Sequence, residues 1–156
     1  LGDVYKRQVE ALMLHLPMKK KVNEHYDGWD NFLTGDSAYF RVGGLAEVSS
    51  ARFVGVPKDG IDPSAHLHMN PLTDKLAVLH GSKEPERLMR DVEDARMYIG
   101  VTYFDLAMLR DDLSTGQWLL ADALPEDVLC PIDGDLWSDV MRREPVRWQA
   151  NPEDSE

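Results

Sequence analysis

His66 and His68 stand two residues apart in the stretch 60–81, which reads GIDPSAHLHMNPLTDKLAVLHG. On a strand, residues two apart leave the same face, so both imidazoles would point one way. Asp74 follows them, and the apolar run after it ends at His80. Two imidazoles and a carboxylate suit one divalent first-row metal, Fe, Mn, Zn or Ni, with His80 as a further nitrogen donor. The plainer interpretation is a pair of surface histidines beside a proline-rich turn, with Asp74 capping a turn after Thr73.

Other chemistry is sparse. The sequence has no Gly-x-Ser-x-Gly elbow and no Walker-type phosphate loop. Ser37 beside Asp36 reads as a turn. Cys130, the single cysteine, lies between Leu129 and Pro131 and reads as a small buried hydrophobe rather than a nucleophile. One cysteine makes neither an internal disulfide nor a Cys-based zinc site. Trp29, Trp118, Trp137 and Trp148 read as core or rim packing, and Trp137 as an apolar wall of a ligand pocket if it lies near the histidines.

Four strand signals, at 39–42, 52–56, 65–69 and 75–79, would carry the histidines. Their connections are too short for parallel crossovers, which predicts an antiparallel meander. Upstream, Val9, Leu12, Met13 and Leu16 fall at helical spacing before Pro17. Lys19, Lys20 and Lys21 form a basic island that reads as a solvated connector, and 25–32 as a packed aromatic loop. Downstream, Leu88, Val92, Ala95 and Ile99 share one stripe, which predicts a helix over 84–99 with Ser82 as N-cap. A second helix is expected over 102–113, with a strand at 101–104 as the alternative. A late strand over 128–132 follows, then a helix capped by Asp135 that runs through Trp137, Val140 and Met141. The class is α+β: an antiparallel sheet with two or three helices in the C-terminal half, packed on one face.

The 156 residues fit one domain, assigned to 9–150. Residues 1–8, LGDVYKRQ with no initiator Met, resemble translated sequencing-adapter read-through and are set apart from fold reasoning. An N-terminal truncation is expected, and a disordered acidic tail at 151–156. The formal charge of −11 argues against nonspecific binding to nucleic acid or anionic membranes. No apolar run approaches the length of a membrane span. The single cysteine fits a reducing cytoplasmic setting. The partner expected is a small molecule, or a protein that meets the acidic surface.

The stretch 60–81 resembles the first motif of the cupin superfamily, which runs Gly, five residues, His-x-His, a short spacer, an acid, six residues and Gly. Gly60 precedes His66 by five residues, and Asp74 precedes Gly81 by six. The spacer is longer than the family's, and Asp replaces its usual Glu. Pro131-Ile132-Asp133-Gly134 approaches the second motif but lacks its His. The resemblance implies a small β-barrel, here distorted, with one metal in its mouth held by His66, His68 and Asp74. Such a metal would polarise or orient a substrate as a Lewis acid. The function expected is a small-molecule or metal-binding domain, with a cupin-like metal-dependent enzyme as its specific form. The alternative is an acidic, non-enzymatic interaction protein of phage or bacterial origin.

Overall fold

A computed structural model describes residues 4–5, 8–81 and 83–143. The expectations for Ser82, Trp148 and the tail at 151–156 lie outside the described residues, as does much of 1–8. The strands are β1 (Val4–Tyr5), β2 (Gln8–Ala11), β3 (Pro17–Lys21), β4 (Tyr39–Val42), β5 (Ala46–Pro57), β6 (Met69–Thr73), β7 (Leu76–Leu79) and β8 (Val92–Asp105). The helices are α1 (Pro85–Met89), α2 (Leu106–Ser114), α3 (Pro125–Val128) and α4 (Leu136–Arg142). The α+β class and the C-terminal placement of the helices are as expected.

The strands form one sheet in the order β1-β2-β8-β5-β7-β6, with β4 on β8 and β3 on β4. All pairings are antiparallel except β4 with β8. One edge of β8 pairs β5, as at Phe53↔Met97. Its other edge is shared by β4 at Arg41↔Tyr98 and β2 at Val9↔Phe104. Among the described residues β3 and β6 each have one neighbour, so the sheet stays open. The cupin-like barrel is therefore corrected to an open sheet.

Alternation along β5 and β8 divides the core between two faces. Phe53, Ala95 and Met97 pack with Trp29, Leu33 and Leu88 on one side. Val54, Val56 and Tyr98 pack with Val128 on the other. α1 thus covers one face and α3 the other, which corrects the expectation of helices on one face only. Each fully buried Leu or Phe contributes about 2 kcal/mol by leaving water. α2 closes a third cluster, setting Leu109 and Leu113 against Val9.

Several local expectations give way to tertiary pairing. The helix expected over 84–99 is α1 followed by β8, because Val92 to Val101 finds a partner edge along β5. The helical spacing at 9–16 yields to β2, whose Val9 and Ala11 are buried against β8. The strand expected over 65–69 is a 3-10 turn at Pro63–Ala65 and a loop leading into β6. The late strand at 128–132 is the end of α3 and the loop after it. The lysine island is β3 rather than a connector. Asp135 does cap α4, its carboxylate accepting the Ser138 amide at 3.0 Å.

Candidate functional site

The histidines gather where β6 and β7 begin and end. His66 follows the 3-10 turn, whose N-cap Asp62 accepts the Ser64 amide. Its Nε2 lies 2.8 Å from Asp91 Oδ2, on the segment between α1 and β8. Its Nδ1 lies 3.1 Å from the His68 backbone nitrogen and must accept that N–H. Nδ1 is therefore bare and Nε2 carries the proton donated to Asp91. Both ring nitrogens are engaged. The His68 ring stands 5.9 Å from that of His66, tilted by 58°. The His80 amide donates to the His68 carbonyl at 2.9 Å, which brings the third histidine to the same end.

Asp74 is not brought there. It occupies the tight turn between β6 and β7, whose ladder runs from Met69↔Leu79 at the histidine end to Thr73↔Leu76 beside the turn. That ladder separates Asp74 from His68 by roughly 15 Å at the usual strand rise. Among the described residues no group of three or more His, Cys, Asp or Glu could hold a metal ion. His66 and His68 also lie on a loop rather than a strand, so period-two alternation does not govern them. Trp137 is 72% exposed on α4 and walls neither the depression beside His80 nor the one between β3 and β4. Cys130 is buried, and burial pushes its thiol pKa up, away from nucleophilic character.

Among the described residues, two depressions bear on the candidate site. One, of about 310 Å³, lies beside His80 between β5 and β7, with Tyr26 and Arg52 on its walls. Arg52 is already engaged by Glu10 at 2.9 Å and Glu47 at 3.4 Å. The other, of about 370 Å³, lies between β3, β4 and the loop at Ile132, with Arg41 in its floor.

Arg41 is only 1% exposed. Its guanidinium donates to the carbonyls of Leu14 (3.1 Å), Val128 (3.3 Å) and Cys130 (3.0 Å). Neither the end of α3 nor the loop after it could satisfy those carbonyls alone. Burial lowers the Arg41 pKa, and the Arg96 charge adds to this while Asp36 opposes it. Arg96, also buried, bonds Asp94 at 2.9 Å and reaches the Leu129 carbonyl at 3.5 Å. Between them, Tyr98 is fully buried, and among the described residues its hydroxyl has no partner within hydrogen-bond distance, although the Arg41 guanidinium lies near enough to favour the phenolate. Burial pushes its phenol up to about 12 against the pull of both guanidiniums. Motif reading passed over Arg41, Arg96 and Asp91. A charged residue inside an otherwise apolar strand, as in Tyr39-Phe-Arg-Val42, is the signal that could have found the first.

No family model matches the chain. A UPF0301 protein of Corynebacterium efficiens is 32% identical over 114 residues, which cover 73% of this chain and 57% of that protein. A UPF0301 protein of Corynebacterium glutamicum is 30% identical over 112 residues, covering 72% of this chain and 59% of that one. The chain thus spans less than two thirds of the length of these two relatives. A crystal structure of a Corynebacterium diphtheriae protein matches with a TM-score of 0.83 at 26% identity, covering 92% of this chain and 75% of that one. These likenesses overturn the cupin resemblance: the relatives bear the UPF0301 name, and the motif at 60–81 carries no cupin relationship.

Proposed function

We propose that this chain is a UPF0301 domain that acts by binding a small molecule, and that it does no metal chemistry at His66 and His68. The depression of about 370 Å³ between β3 and β4 supports the small-molecule reading, and the double engagement of His66, with Nε2 on Asp91 and Nδ1 on the His68 amide, carries the non-metal part of it. A metal ligand or general base needs one ring nitrogen with a free lone pair. His66 has none without breaking the loop. Its task is to fasten the segment before β6 to the start of β8. For His66, His68, Asp74 and His80 to share one metal, Asp74 would have to leave the far end of the β6–β7 hairpin.

Elemental mass spectrometry on tag-free protein tests the reading, after equilibration with Zn²⁺, Ni²⁺, Mn²⁺ or Fe²⁺ and exhaustive dialysis. Wild type and a His66→Ala/His68→Ala variant are expected to retain the same sub-stoichiometric background. Near-stoichiometric metal in wild type that vanishes in the variant would restore the metal site.

A further inference from the structure

The geometry points to the depression between β3 and β4 as a binding site for a small carboxylate with an apolar body. This rests on the reading of the chain as a binding domain and gives it a ligand class. Lys19 lines the depression, as do Met18, Tyr39, Phe40 and Ile132, so a cationic edge borders a largely apolar wall. The Lys21 ammonium sits over the Tyr39 ring, 5.7 Å from its centroid. Two lysines of this acidic chain, Lys19 and Lys21, are therefore set along one margin of the pocket.

Lysines on an edge strand have an ordinary use, since they discourage pairing with another chain. That use does not account for the floor. Among the described residues Arg41 is held there by three backbone carbonyls and by no hydrogen-bonded carboxylate, and its Nε is buried without a hydrogen-bond partner. A buried cation with no carboxylate in direct contact is costly, and a bound anion at this position would offset the cost. Among the described residues Asp36 is the one carboxylate on the lining. Its Oδ2 already accepts the Ile132 amide at 2.9 Å, which ties the loop to the pocket wall. Against that one negative charge stand Lys19, Lys21 and Arg41. The volume of about 370 Å³ lies at the lower end of small-ligand sites, as a compact aryl carboxylate requires.

The test is a ¹H–¹⁵N NMR titration of the full chain with benzoate, repeated with benzyl alcohol. Benzoate at millimolar concentration is expected to give saturable shifts at the Arg41 Nε–H and at the Lys19 and Ile132 amides. Benzyl alcohol, which keeps the ring and lacks the charge, is expected to bind about tenfold more weakly. Lys19→Ala is expected to weaken benzoate about threefold, while Lys58→Ala leaves it unchanged. No shift at these groups, shifts confined to another surface, or equal binding of the alcohol would overturn the site. The two proposals fail separately. Metal found at His66 would remove the non-metal reading and leave this pocket standing, whereas a silent pocket beside metal-free histidines would do the reverse.

Discussion

Gly44 and Gly100 meet backbone to backbone where the chain leaving β4 passes β8: a Cβ on Gly100 would lie 2.2 Å from the Gly44 carbonyl oxygen. Gly100 also has φ +79°, a conformation that side chains rarely adopt. On the other side of the contact, a Cβ on Gly44 would meet the Val101 carbonyl at 2.1 Å. Backbone cannot move aside as a flexible side chain can. Gly44→Ala and Gly100→Ala are each expected to cost more than about 3 kcal/mol, a large part of a typical domain's stability. Urea denaturation followed by tryptophan fluorescence checks this. A loss below about 1 kcal/mol in both variants would show that the crossing is looser than described.

The Arg41 clamp gives a different kind of loss. Its two terminal nitrogens satisfy three carbonyls on two chain segments, and a lysine ammonium on a flexible stem cannot reproduce that planar fork. Arg41→Lys is expected to destabilise by about 2 kcal/mol, and Arg41→Met by about 3, because buried carbonyls are left unpaired. Amide exchange near Val128 and Cys130 should accelerate in both variants. Unchanged protection there would mean that the clamp does not hold the end of α3.

Tyr98 makes stability depend on pH in the alkaline range. Its folded pKa is raised to about 12 by burial, above the ordinary value of 10.0. Between those values the unfolded chain loses the phenolic proton before the native one does, so stability falls as pH rises. It is fully present below pH 10 and declines by on the order of 2–3 kcal/mol toward pH 12. Tyr98→Phe is expected to flatten this decline and to cost little at neutral pH, since among the described residues the hydroxyl it removes has no partner within hydrogen-bond distance. Denaturant midpoints measured across that range, variant against wild type, decide the point. Parallel curves would exclude Tyr98 as the titrating group.

His66→Ala removes the tie between the segment before β6 and Asp91. A loss of about 1–2 kcal/mol is expected, together with faster amide exchange at His68, whose N–H loses its acceptor. His68→Ala removes a ring but neither of those bonds, and is expected to cost less. Equal losses from the two variants would count against a fastening role for His66.

Periodicity was a sound guide where a segment's partners lie close to it in sequence. Leu76–Leu79 is a strand as its composition indicates, paired with β6 across a tight turn, and Asp135 caps α4 through a bond three residues away. The stripe of Leu88, Val92, Ala95 and Ile99 misled because its spacing also fits a strand covered on both faces. Glu93, Asp94 and Arg96 supplied the polar positions that made it resemble a surface helix. Arg96 is instead buried in β8, made tolerable by Asp94 and the Leu129 carbonyl.

The candidate site shows the same division. The residue list already held three histidines within one short stretch. Which atoms those histidines face depended on long-range pairing. Asp91 arrives at His66 from 25 residues away, and Cys130 meets Arg41 across 89. The β6–β7 ladder carries Asp74 off to the opposite end of its hairpin. Local spacing constrains only what lies within a turn or along one strand. The partners of a buried charge are chosen when distant strands and loops close around it.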